Sequence, residues 1–141
     1  MKKTINSIIS VVCILGLLAC LVSCTGRAQK NVWDDATYTV DTELGSGAKT
    51  VTVEVTADEK TVTFTVHTDA DTVGAALMEH NLLAGEDSQY GLYVKTVNGM
   101  LADYDVDQFY WAFYVDGAYA MTGVDTTEIA EGVTYQLVRT K

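Results

Sequence analysis

Thr50-Val51-Thr52-Val53-Glu54-Val55-Thr56, then Asp58-Glu59-Lys60, then Thr61-Val62-Thr63-Phe64-Thr65-Val66-His67: this stretch decides the fold. Val51, Val53 and Val55 recur at every second residue, as do Val62, Phe64 and Val66. Side chains of a strand alternate between two faces, whereas a helix needs a period near 3.6. The two runs therefore read as half-buried strands, joined into a hairpin at Asp58-Glu59-Lys60.

Downstream the period changes. Asp71 or Thr72 can cap a helix in which Val73, Ala76 and Leu77 share a face with Asn81, with Met78 and Leu82 alongside. This helix is expected to end near Leu83–Ala84, with Gly85 as its left-handed stop. Strands resume at Tyr90–Val97, closed by the turn signal Asn98-Gly99. A loop carrying Asp103, Asp105 and Asp107 follows, then Phe109–Val115, the turn Asp116-Gly117, Ala118–Thr122, a loop over Gly123–Glu131, and a last strand from Val133 to Thr140. One helix among about six strands is α+β, expected as a mixed sheet with the helix packed on one face.

Upstream, Thr25–Ala48 is rich in Gly, Asn, Asp, Ser and Thr and reads as a tether, in which Trp33 and Tyr38-Thr39-Val40 are able to dock onto the domain. The first residues read as an address. Lys2 and Lys3 precede an apolar stretch whose unbroken part, Val11–Val22, is shorter than the ~20 residues that span a bilayer. Leu21-Val22-Ser23-Cys24 resembles the bacterial lipobox, which implies cleavage before Cys24 and acylation of its thiol. Two or three acyl chains hold a protein firmly on a membrane where a single chain holds it marginally. The expected organisation is a lipoprotein signal peptide over 1–23, an acylated cysteine and tether over 24–48, and a domain over 49–141. The expected location is extracytoplasmic, lipid-anchored to the bacterial cell membrane.

The chain has 141 residues, 48% of them apolar, with 19 acidic and 9 basic side chains and a formal charge of −10. The apolar share suffices for a core, and the acidic balance excludes the basic footprint of a nucleic-acid binder. Cleavage before Cys24 would remove Lys2 and Lys3 but no acid, taking the charge to −12. Its three cysteines are Cys13, Cys20 and Cys24, so the domain has neither a disulfide framework nor a cysteine-rich zinc site.

Tyr90-Gly91-Leu92, Val97-Asn98-Gly99, Tyr110-Trp111-Ala112-Phe113-Tyr114-Val115-Asp116-Gly117, Gly123-Val124-Asp125 and Glu131-Gly132 follow one another in this order. Over about Asp71 to Thr140 the chain resembles the bacterial domain family DUF4430, which is similar to the C-terminal β-domain of transcobalamin and intrinsic factor. The resemblance implies a β-grasp-like fold. In the animal cobalamin carriers this domain covers one face of the corrinoid, and a helical barrel covers the other. The 141 residues include no counterpart of that barrel, so corrinoid binding here is expected to be one-sided or to need a partner protein.

Aromatic side chains supply the candidate ligand site. Trp111 shares the inward row of its strand with Phe109 and Phe113, whereas Tyr110 and Tyr114 point to the other face, free for a partner if one helix covers the sheet. With Tyr90, Tyr119 and Met121 these residues form the expected binding set for a flat ligand such as a corrinoid. Asp103, Asp105 and Asp107 alternate like the start of a calcium loop, although Gln108 stands where the loop glycine belongs and Tyr114 where the bidentate glutamate belongs. Calcium is therefore a candidate ligand and not a required cofactor. No P-loop, dinucleotide glycine pattern, zinc-protease helix or Ser-His-Asp order is present, so no catalytic role is expected. The reading is a non-catalytic surface lipoprotein that binds a small ligand, with a corrinoid and hand-over to a transporter as its sharpest form. A protein-interaction or adhesion module and a metal-binding domain are the alternatives. Replacing Cys24 by alanine should abolish labelling by radioactive fatty acid and release the protein from membranes; unchanged labelling would remove the anchor.

Overall fold

The computed structural model describes residues 30–141. The leader, Cys24 and the first residues of the tether lie outside the described residues. After a 3-10 turn (Val32–Asp35) come β1 (Thr42–Gly45), β2 (Lys49–Ala57), β3 (Lys60–Thr68), α1 (Val73–Glu79), β4 (Leu83–Ser88), β5 (Gly91–Val97), β6 (Met100–Leu101), α2 (Tyr104–Asp107), β7 (Tyr110–Val115), β8 (Ala118–Tyr119) and β9 (Thr134–Thr140). Six strands form a mixed sheet in the order β1-β3-β2-β9-β7-β8, and β4-β5-β6 form a second sheet of three.

The period-two runs fold as their pattern requires. Val51, Val53 and Val55 stand opposite Val66, Phe64 and Val62 across the antiparallel β2–β3 ladder, and all six are buried. β9 runs parallel to β2 and places Tyr135 beside Val53 and Leu137 beside Val55. β7 is antiparallel to β9 and adds Phe113 opposite Leu137 and Trp111 opposite Arg139. Each such side chain taken fully out of water is worth roughly 1.5–3 kcal/mol, so this continuous row is the main source of cohesion. Phe113 and Tyr135 stack with ring centroids 6.2 Å apart.

Three expectations change. The helix is shorter than the sequence suggests: Thr72 caps it, its Oγ1 accepting from the Ala75 amide, and it ends at Glu79 with Asn81 in the left-handed conformation at φ 54°. Gly85 stops no helix. It sits at a bulge in β4, where an added Cβ would collide with the Tyr93 carbonyl. Leu82, Leu83 and Asn81 satisfied a helical period, but they belong to the turn and the strand after it. Second, α1 does not cover the sheet alone. Its Val73, Ala76 and Leu77 share the core with Leu83, Val97 and Met100 of the small sheet and with Trp33.

Third, residues 30–48 are part of the domain. Trp33 is buried, and its indole nitrogen donates to the Ala57 carbonyl at 2.9 Å. β1 pairs in parallel with β3. The fully buried Asn98 clamps this segment with both ends of its amide: Oδ1 accepts from the Tyr38 amide at 2.9 Å, and Nδ2 donates to the Tyr38 carbonyl at 2.7 Å. Single aromatic anchors carry no period, so a polar stretch held by Trp33 and Tyr38 looks like a leash in sequence. Among the described residues no helix is long and apolar enough to cross a membrane. Trp33→Ala should lower the unfolding free energy by about 3 kcal/mol or more, read from urea melts, as expected for a large-to-small core change; an unchanged midpoint would return this segment to a mere leash.

Candidate functional site

β7 pairs with β9 along its whole length, but on its other flank β8 reaches only Tyr114 and Val115. β5 pairs with β4 throughout, but β6 reaches only Thr96 and Val97 on its far side. The uncovered halves of these two strands line a cleft of about 250 Å³ between the large and the small sheet. Leu92, Tyr93 and Val94 form one wall, and Tyr110, Trp111 and Phe113 the other. Tyr119, Ala120 and Thr122–Val124 close the end.

The loop after β8 is fixed by bonds to the helix start and to the core. Val124 and Thr127 carbonyls accept from the Gly74 and Val73 amides at 2.8 and 2.9 Å. The Tyr135 hydroxyl accepts from the Ala130 amide and donates to the Glu128 carbonyl. Asp125 lies against Gly91 and Gly123, where a Cβ on Gly123 would come within 2.6 Å of its Oδ1. Its Oδ2 accepts from the Leu92 amide at 3.2 Å. The loop that closes the end of the cleft is thus hydrogen-bonded to α1, to β5 and to β9.

Two buried polar atoms here have no hydrogen-bond partner among the described residues: Trp111 Nε1 and Asp125 Oδ1. Trp111 is only 7% exposed, and an unsatisfied buried donor costs roughly 1–3 kcal/mol. A native fold keeps such a cost chiefly where the atom has a use. The cleft therefore combines aromatic walls with Trp111, whose indole donor is uncommitted, while Asp125 lies behind its closing loop, against Gly91 and Gly123.

Of the six aromatic and Met candidates, Tyr110, Trp111 and Tyr119 come together at the cleft. Tyr114 packs edge-on to Tyr119 at 5.4 Å and lies over a shallow groove with Glu54, Thr56 and Gln136 on the outer face of the large sheet. Tyr90 and Met121 are 89% and 96% exposed, Met121 standing between two residues of the cleft wall. Val94 escapes the sequence reading as a site residue, and Leu92 and Asp125 are marked there only as motif residues. Gly91 and Gly123 flanking a distant Asp were the available signal, but only the fold shows that they enclose it.

The acidic run does not assemble as a calcium loop. It folds as one helical turn, with Asp103 as N-cap accepting from the Asp105 amide and Gln108 left-handed at its end. A helical turn radiates carboxylates where a calcium loop must converge them. Lys95 bridges Glu86 and Asp103 at 3.0 and 3.2 Å, and these carboxylates raise its pKa, Glu86 most. Arg139 holds Asp107 at 2.8 Å. Asp105 is exposed, and among the described residues no three His, Cys, Asp or Glu side chains gather to hold a metal.

A model of the family described as a domain of unknown function, DUF4430, matches residues 70–134. Among solved structures, a Ruminococcus gnavus protein provisionally named a metal binding protein is 33% identical, with a TM-score of 0.62; the match covers 67% of this chain and 98% of that one. Haptocorrin in complex with Cbi (cobinamide) aligns over 66% of this chain and 25% of its own, with a TM-score of 0.54 and 18% identity, a likeness of fold. No curated protein matches significantly.

Asp107, in the acidic turn outside the cleft, gives the fold a pH signature. Partial burial would raise its carboxyl, but amide hydrogen bonds from Phe109 and Asp103 and the Arg139 guanidinium together hold it below the usual carboxylate range. A carboxyl depressed in the folded state stabilises the fold above its unfolded pKa of about 3.9, and that contribution is lost as pH falls through the folded value. Asp107→Asn should therefore lower Tm at pH 7 and make the fall in Tm below pH 4 shallower; parallel pH profiles for the two proteins would contradict this.

Proposed function

The chain belongs to the DUF4430 family, and from that premise we propose that it is a non-catalytic, lipid-anchored binding protein with a β-grasp-like domain that captures a small ligand between its two sheets. The observation that carries the reading is the aromatic-walled cleft between the sheets, lined by Trp111, whose buried indole N–H has no partner among the described residues. A flat ligand edge bearing a hydrogen-bond acceptor would satisfy this donor while its faces meet Tyr93, Tyr110 and Tyr119. A corrinoid has that character, and the fold likeness to cobinamide-bound haptocorrin favours it. The cleft meets one side of such a ligand, so the other side stays available for a partner such as a transporter. Met121 and Tyr90, almost fully exposed, are placed to fold over an edge of the ligand.

A metal reading is favoured by the provisional name of the Ruminococcus gnavus relative. Here Asp103 and Asp107 are each neutralised by a cation of the chain itself, so a metal would have to draw on other side chains.

Titration of the protein with dicyanocobinamide, followed by the visible band and by tryptophan fluorescence, tests the corrinoid form. The expected result is a band shift with quenching, and about tenfold weaker binding by Trp111→Phe, the loss of one hydrogen bond worth ~1.4 kcal/mol. Trp33, the other tryptophan, is the internal control. Neither shift nor quenching would overturn the corrinoid reading, and a partner recovered by crosslinking in cells would then favour an interaction module.

A further inference from the structure

The first described residues lie beside the last. Lys30, Val32, Leu101, Phe109, Arg139 and Lys141 line one open groove of about 770 Å³ at a single pole of the domain. The Arg139 guanidinium and the Lys141 ammonium stand 3.8 and 4.8 Å from the Phe109 ring centroid. The neighbouring turn α2 projects Tyr104 and Val106 into solvent, and Leu101 joins them; Val106 is 78% exposed. None of the three is needed for the core. Asp35, Asp58 and Asp107 share this lining, Asp35 bridged to Lys30 at 2.7 Å and Asp107 to Arg139 at 2.8 Å; apolar and aromatic tips beside long cations are the composition that settles at a membrane interface.

Charge is divided in the same sense. Four of the six described cations, Lys30, Lys60, Arg139 and Lys141, are at this pole, against the six carboxylates of Asp34, Asp35, Asp58, Glu59, Asp105 and Asp107. The remaining surface has two cations for thirteen carboxylates. The pole's balance is −2 against −11 for the remaining surface taken together, so an anionic bilayer repels it less than that remainder. Lys30 is the sixth residue after Cys24, so a chain extended at ~3.6 Å per residue keeps Lys30 within about 22 Å of an acylated cysteine.

We propose that this pole docks on the lipid bilayer, with Leu101, Tyr104 and Val106 entering the headgroup boundary and Lys30 and Lys141 reaching the phosphates. The inference rests on the lipid-anchor reading of Cys24. Docking is driven by apolar contact and tethering, with charge setting the orientation. Tyr90 precedes the opposite end of β5 from the strand's pairing with Leu101, and Met121 follows Tyr119, which pairs at the opposite end of β7 from Phe109. The ligand-side residues Tyr90 and Met121 are thereby held away from the membrane.

No cysteine follows Cys24, so Val106→Cys and Met121→Cys in the full chain each accept a single environment-sensitive fluorophore. The processed protein is reconstituted into vesicles of phosphatidylethanolamine and phosphatidylglycerol and checked by flotation. The expected result is flotation of both, with blue-shifted emission and protection from iodide quenching at 106 only. Flotation with water-like emission at both positions would overturn the docking and leave the anchor standing, and equal shifts at both would reduce it to unspecific adsorption. Failure to float would remove the anchor and the docking together.

Discussion

The parallel pairing of β2 with β9 holds the molecule closed. β2 stands at the centre of the large sheet, bonded to its hairpin partner on one side and to the C-terminal strand on the other. The hairpin forms from neighbours in sequence, but β9 arrives only after about 80 residues have been wound through α1, the small sheet and β7. A contact of that separation carries a large loop-closure cost, offset here by the buried row that runs from Val53 and Val55 through Tyr135 and Leu137 to Phe113. β7 has no place in the sheet without β9, and the cleft has no wall without β7.

Around that frame, single polar side chains do what regular pairing does not. Asn98 hydrogen-bonds the entering chain at Tyr38, Tyr135 ties down the loop before its own strand, and Asp125 fixes the start of β5. Each satisfies backbone groups that a turn would otherwise leave unpaired, and Asn98 and Asp125 do so between segments far apart in sequence. Against this background of satisfied groups, the unpartnered Trp111 donor and Asp125 acceptor stand out.

The cations show a related economy. A chain this acidic has few to deploy, yet Lys95 spans two carboxylates and Arg139 combines an ion pair with Asp107, a bond to the Leu101 carbonyl and a stack on Phe109. These contacts hold α2 against the large sheet. They also give Asp103 and Asp107, two of the three carboxylates that alternate like a calcium loop, a cation of the chain itself.

The hairpin, the capped start of α1 and the aromatic row of β7 were legible in the sequence, because each is a period or a cap written within a few neighbouring residues. So was the family, since its motif residues mark turns and close approaches along the chain. What the sequence could not resolve was the second sheet, where Leu82 and Leu83 fit a helical period as well as a strand. Nor could it place Trp33 and Tyr38, isolated aromatics whose partners lie at Ala57 and Asn98. By itself the sequence determined which residues are apolar, where the chain turns and which side chains are able to carry a ligand. Tertiary structure alone decided which of them meet: it gathered Tyr110, Trp111 and Tyr119 at one cleft, left Tyr114 on the outer face, and spread Asp103, Asp105 and Asp107 around a helical turn. The reason is physical, for strand register and pairing order are set by contacts between distant segments, and local pattern carries no information about which distant segment will arrive.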